Sequence, residues 1–285
     1  MTTYEDRFWT SSDGLKLHYR DYAGRDDRPP VICMHALTRN ARDYSKLAER
    51  ISGEWRVLVL EMRGRGESEY ANDSSSYNPL QYVEDVKVLL NELGIDRFVS
   101  VGTSLGGLMT FILGMMEPDR IAGAVINDIG PYLEPEGLQR VKTYVGQGRN
   151  FPTWVHAARG LEESQGVAHP GFELADWLDM AKRLMTLSSN GRVVFDYDMK
   201  IAEPFEDFDE NAQVDLWPGV DALAGKPVLV VRGALSDLFS DKVMREMLAR
   251  LPDSEGVTIE RTGHTPTLAE PESVAAIERL LARIG

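Results

Sequence analysis

Short apolar runs alternate along the chain with longer segments whose apolar positions recur every three or four residues. Residues 15–22 alternate apolar and polar, the period of a half-buried strand. Residues 31–35, 57–60, 98–102 and 121–128 are nearly continuous apolar runs bounded by turn residues, as expected of strands buried on both faces. Residues 43–51 have helical spacing. So do residues 77–93, where Val83, Val86, Leu89, Leu90 and Leu93 recur along one face and Gly94 ends the pattern. Residues 105–116 read as a helix stopped before Pro118. After Pro227 the rhythm resumes, with strands at 228–232 and 257–260 and helices at 241–251 and 271–284. Strands alternating with helices predict an α/β fold, a mainly parallel, doubly wound sheet. Ligands in such sheets sit beyond the carboxyl ends of the strands, so the residues after each strand carry the chemistry.

From residue 131 to 217 helical patterns follow one another without strands. That is too long for a loop in a compact domain. We expect a helical cap insertion at 131–217, over a core made of residues 1–130 and 218–285. Aromatic residues are dense in the insertion, among them Tyr144, Phe151, Trp154, Phe172, Trp177, Phe195 and Tyr197. They can form a small core of its own, line an apolar pocket, or do both.

Charge narrows the partners. The 285 residues carry 31 Lys and Arg against 45 Asp and Glu, a net −14 at pH 7. Nucleic acid and anionic membranes both attract positive surfaces, so neither is expected as a partner; a small-molecule substrate is. The stretch 98–116 has few charges but breaks at Gly106-Gly107, so it reads as strand plus helix, not as a membrane span. The first residues show no basic-then-apolar leader, and Cys33 is the one cysteine, so no internal disulfide can form. A reducing, cytoplasmic setting fits. The sequence sets no oligomeric state.

The strongest chemical signal is Gly102-Thr103-Ser104-Leu105-Gly106, placed between a strand and a helix. A sharp turn there lifts a serine hydroxyl off the sheet, and the glycines leave room for neighbouring backbone. The helix that follows aims free N–H groups and its positive dipole end at the same place. On this motif and its placement the chain resembles the α/β-hydrolase superfamily over nearly its whole length, with the insertion where that family has its cap.

The resemblance implies a serine hydrolase working through an acyl-enzyme, with Ser104 as nucleophile. A hydroxyl needs a base, and His264, in the loop after the last strand, stands where the family has its histidine. His35 precedes the oxyanion segment and reads as structural. His18 falls within a strand, His156 in the insertion, and His169-Pro170 in a surface loop. The orienting acid is expected at Asp237, after strand 228–232, with Asp128, after strand 121–128, as the alternative. Backbone N–H groups of Leu37 and Leu105 are the expected oxyanion hole. The family commonly has glycine where this chain has Ala36. The stretch Glu61-Met62-Arg63-Gly64-Arg65-Gly66-Glu67-Ser68 resembles a structural loop beside the nucleophile turn.

Other signals fail on spacing. Gly64-Arg65-Gly66 lacks a third glycine and a following helix, so no dinucleotide site is expected. Asp207 to Asn211 begins like a calcium loop but has Ala212 where glycine is needed. No cluster suggests zinc, so neither metal nor cofactor is expected. The resemblance implies hydrolysis of an ester or lactone of a small, largely apolar substrate. Two alternatives remain: a C–C bond hydrolase of aromatic ring-cleavage products, and a slow-turnover ligand receptor of the same fold. Relatives that cleave carbon–halogen bonds or epoxides use Asp at the nucleophile position, so Ser104 argues against them. Between residues 196 and 215 eight acids face one base, Lys200, so half of the net charge is concentrated there. The plain reading is a solvated acidic loop; the sharper one is a negative rim at the pocket entrance that disfavours highly anionic substrates.

Overall fold

The structure, a computed structural model, describes residues 4–206 and 213–284. In chain order the first elements are β1 (Tyr4–Thr10), β2 (Lys16–Tyr22), β3 (Val31–Met34), α1 (Ser45–Ile51), β4 (Val57–Glu61), α2 (Pro79–Glu92), β5 (Phe98–Thr103), α3 (Leu105–Met116) and β6 (Ile121–Asn127). The next segment holds α4 (Pro135–Tyr144), β7 (Asn150–Phe151), α5 (Trp154–Gln165), α6 (Leu174–Leu184), β8 (Met185–Leu187), β9 (Val193–Phe195) and α7 (Glu203–Glu206). The chain closes with α8 (Trp217–Asp221), β10 (Val228–Gly233), α9 (Asp241–Arg250), β11 (Ser254–Ile259) and α10 (Pro271–Ala282).

Eight strands form one sheet in the order β1-β2-β4-β3-β5-β6-β10-β11. The β1–β2 and β2–β4 pairs are antiparallel and the rest are parallel. The alternation of side chains along each strand explains the two-sided core. Val31, Cys33, Val57, Val59, Val99 and Val101 face α1 and α10, packing with Leu47, Ile51, Ile277 and Leu280. Ile32, Met34, Leu58 and Leu60 face the other way, with Val83, Val86 and Leu89 of α2 and Met109 and Phe111 of α3. Both faces are covered, which is why these strands are continuously apolar. The α/β sheet is therefore mainly parallel and doubly wound, as the pattern of the sequence predicts.

Two features depart from that pattern. β1 carries the sequence Tyr-Glu-Asp-Arg-Phe-Trp-Thr and buries only Trp9, so as an edge strand it has no apolar run to betray it. Between β6 and β10 the helices are joined by a small antiparallel sheet, β7-β9-β8, whose strands have two or three residues each. Phe151, Ala157, Leu161, Trp177, Met180 and Leu184 form a separate core there. Among the described residues no helix is long and apolar enough to cross a membrane.

Candidate active site

Ser104 sits at the turn between β5 and α3 with φ 51° and ψ −110°, a conformation a non-glycine residue rarely adopts. Its N–H donates to the Asn127 carbonyl at 2.9 Å, which ties the turn to β6. A Cβ on Gly102 would stand 2.3 Å from the Gly106 carbonyl oxygen, and one on Gly106 would stand 2.0 Å from that of Met34. Glycine at both places is what lets α3 start so close to the sheet.

His264 lies in the loop after β11. Its Nε2 is 3.0 Å from Ser104 Oγ and its Nδ1 is 2.8 Å from Asp128 Oδ2. Asp128 follows β6 directly, is fully buried, and holds φ 56°. Its Oδ1 accepts from the Gly233 N–H at 2.7 Å and its Oδ2 from the Ser236 hydroxyl at 2.8 Å. A carboxylate only accepts, so His264 Nδ1 carries the proton and Nε2 is left as an acceptor facing the serine.

The expected acid, Asp237, is not the partner of His264. It forms a two-armed ion pair with Arg140 of α4, one arm at 2.8 Å. Burial pushes its pKa up, but the hydrogen bonds and charge of Arg140 outweigh that and hold it below the usual carboxylate value. Consecutive residues diverge in this loop. Ser236 faces Asp128, whereas Asp237 and Leu238 pack their backbone against Gly137 of α4. The structure thus brings together Ser104, His264 and the alternative, Asp128, while Asp237 fastens α4 to the loop after β10.

The loop after β3 borders the same space. His35 is fully buried; its Nδ1 donates to the Ala36 carbonyl at 2.8 Å, and its Nε2 accepts from the Met62 N–H at 3.1 Å. Burial first, and then Arg65, push its pKa down to about 4, so it stays neutral. The Ala36 carbonyl also accepts from the Arg39 N–H at 3.0 Å. In a trans peptide the carbonyl of Ala36 and the N–H of Leu37 point opposite ways, so pinning one aims the other. The Leu37 carbonyl accepts from Arg65 Nε at 2.9 Å. Ala36 is not among the residues with positive φ, so alanine fits where glycine is common. Leu37 and Leu105 both line the cavity above Ser104.

The Glu61 loop is held by buried polar bonds. Glu61 accepts from His18 Nδ1 at 2.8 Å and from the backbone N–H groups of Ala41 and Glu67 at 2.9 and 2.7 Å. Arg63, fully buried, pairs with Asp85 and Asp13. His169 departs from its expected surface position: it is 2% exposed, stacks on Phe172 at 4.5 Å between centroids, and meets the edge of Trp177. His-Pro-Gly reads as a turn, and only the later packing of Phe172 and Trp177 shows that the turn folds inward. Neither ring nitrogen has a hydrogen-bond partner among the described residues. Burial, then Arg39, Arg183, His264 and Arg140, push its pKa down to about 4.

The cavity has a volume of about 660 Å³. Leu108, Leu133, Leu138, Val141 and Ile201 make it mostly apolar, and Tyr144, Phe151, Phe195 and Tyr197 reach it from the segment between β6 and β10. Trp177 instead belongs to that segment's own core, with Trp154 and Phe172 packed against it. Two acids of the acidic run are engaged by partners: Asp196 pairs with Arg42 and Asp198 accepts from the Tyr77 hydroxyl. Asp207, Asp209 and Glu210 lie outside the described residues.

Comparison with known proteins bears on the family and the fold. The family model described as alpha/beta hydrolase fold matches residues 29–271. The chain is 30% identical to a 3-hydroxybutyrate-oligomer hydrolase of Cupriavidus necator, over 91% of this chain and 90% of that protein. It is 29% identical to an esterase of Mycobacterium tuberculosis, over 88% and 82% respectively. An alpha/beta hydrolase from Novosphingobium aromaticivorans, known from its crystal structure, superposes with a TM-score of 0.96 at 57% identity and full coverage of both chains. Sheet order, the turn at Ser104 and these relatives lead to one conclusion: the chain is a hydrolase belonging to the α/β-hydrolase fold family.

Proposed function

We propose that the chain hydrolyses a carboxylic ester through an acyl-enzyme on Ser104. The observation that carries this reading is the unbroken chain from Ser104 Oγ through His264 to buried Asp128, opening on an apolar cavity. Ser104 Oγ attacks the ester carbonyl while His264 Nε2 takes its proton. The Asp128 carboxylate stabilises the imidazolium that forms. The N–H groups of Leu37 and Leu105 receive the oxyanion; in comparable sites one such donor is worth roughly 10²–10³ in rate. Collapse expels the alcohol, which takes the proton from His264. Water, deprotonated by the same nitrogen, then releases the acid. Residues 131–217 act as the cap, closing the cavity over α3 and the loop after β3. The names of the two relatives, an oligomer hydrolase and an esterase, support an ester as the bond cleaved. An oligoester of a hydroxy acid is the substrate type they suggest.

Labelling with a fluorophosphonate and turnover of 4-nitrophenyl butyrate test the reading. Wild type labels and turns over, whereas Ser104→Ala does neither. A wild type that neither labels nor cleaves any short ester would replace the enzyme by a ligand receptor of the same fold.

A further inference from the structure

The net charge of −14 is absent from the reaction cavity. Among the described residues its lining contains no Asp or Glu, yet it contains Arg39 and Arg149. Arg149 is about half-exposed and pairs with Glu163 at 3.2 Å. Arg39 is different. Its side chain is 13% exposed, and its one ion pair among the described residues is with Asp43 at 3.5 Å. Asp43 is shared, since Arg183 approaches its other oxygen at 3.4 Å. No hydrogen bond of the Arg39 guanidinium occurs among those described. Arg63, Arg140 and Arg42 by contrast each hold a carboxylate closely, Arg42 at 2.6 Å. A largely buried guanidinium with five donors and one long contact has capacity for a further anion.

The position of Arg39 says which part of a substrate it meets. Arg39 and Thr265, the residue after His264, line both the reaction cavity and the narrow crevice behind it. The flank is electropositive: the guanidinium charges of Arg39, Arg183 and Arg140 all disfavour a proton on His169. His264 protonates the departing alcohol, and Arg39 shares its lining positions with the residue that follows His264, so we assign a group held by Arg39 to the leaving-group side.

We propose that Arg39 determines specificity by binding a carboxylate on the alcohol side of the ester, so that the substrate is an acylated hydroxycarboxylic acid with its acid group free. This rests on the ester-hydrolase reading. Cleavage adds water across the ester and yields the acyl acid and a hydroxy acid. The alternative is that Arg39 only braces Asp43, four residues on.

The test compares 3-butyryloxybutyrate with its neutral amide, 3-butyryloxybutanamide, on wild type, Arg39→Gln and Arg39→Lys. Wild type prefers the anion. The ratio of kcat/KM for anion over amide falls about 10- to 100-fold in Arg39→Gln, the size of a lost charged hydrogen bond, mainly through KM, and Arg39→Lys restores part of it. Direct binding of 3-hydroxybutyrate to Ser104→Ala, with and without Arg39→Gln, reads the same contact without turnover; the double variant binds more weakly. If neither ester is cleaved but binding depends on Arg39, the ester reading falls and the anion site stands. If ratio and binding are both indifferent to Arg39→Gln in folded protein, Arg39 is only a brace and the proposal is wrong.

Discussion

Replacing Asp128 by asparagine separates the two candidate acids with one atom changed. In the wild type Oδ1 accepts from the Gly233 N–H, while Oδ2 accepts from both Ser236 and His264. The oxygen of the new amide can keep the Gly233 bond, which turns its NH₂ toward Ser236 and His264. The Ser236 hydroxyl can rotate and accept. His264 can accept only by moving its proton from Nδ1 to Nε2. Nε2 then points a hydrogen at Ser104, 3.0 Å away, and cannot act as a base. The imidazolium also loses its counter-charge. In serine proteases the same substitution of the triad acid costs about 10⁴ in kcat. We expect a fall of ~10³–10⁴ here, or about 4–5.5 kcal/mol at 1.36 kcal/mol per decade. Asp237→Asn loosens an ion pair whose side chains are 29% and 26% exposed. Screening by solvent keeps that cost near or below ~1 kcal/mol of stability, and kcat within about threefold. The assay is kcat on 4-nitrophenyl butyrate at pH 8, with the labelling rate by fluorophosphonate as a second measure and circular dichroism to establish folding. A loss of activity in Asp237→Asn with Asp128→Asn near wild type would refute the assignment and restore the acid expected from the sequence.

Two further outcomes concern stability. Gly102→Ala places a Cβ 2.3 Å from the Gly106 carbonyl oxygen, so β5 and α3 must separate. The expected cost is at least ~1–3 kcal/mol, seen as a Tm lowered by several degrees; an unchanged Tm would show that the turn yields freely. The second concerns acid. His35 and His169 have folded pKa values of about 4 against 6.5 when unfolded, so the unfolded chain binds more protons between these values. Their stabilising contribution is complete above pH 6.5 and is lost as pH falls toward 4, by roughly 3 kcal/mol at each site. His18, whose pKa is raised when folded, acts in the opposite sense, contributing most below pH 6.5. The variant His169→Leu isolates one site: its urea midpoint falls less between pH 7.5 and 5 than the wild type's. Equal slopes would mean that His169 takes up a proton without resistance.

What can be read from the sequence follows the range of the interactions involved. Strands β3, β5, β6 and β10 are covered on both faces, so each carries a local apolar signature. β1, and the short strands β7, β8 and β9, owe their existence to partners elsewhere in the chain. Ser104 declares itself because its strained turn needs glycines two residues away on either side, and those are neighbours in sequence. His264 is reached through resemblance, since nothing local distinguishes it from His35 or His169. The acid is harder still. Asp128 and Asp237 both follow a parallel strand, and the difference lies in what else each loop touches. Ser236 and the Gly233 N–H build a socket for Asp128, whereas Arg140, almost a hundred residues earlier in the chain, claims Asp237. Charge shows the same limit most sharply. The total of −14, and its concentration between residues 196 and 215, reads most plainly as a solvated acidic loop and at its sharpest as a rim hostile to anions. Yet Asp196 and Asp198 are consumed by Arg42 and Tyr77, and the charged side chains that line the cavity among the described residues are arginines. A count along the chain sums charges that the fold pairs off, and a site is selective through the charge that is left without a close partner. In this cavity the largely buried arginine with only a long ion pair is Arg39, and its sign is opposite to that of the protein as a whole.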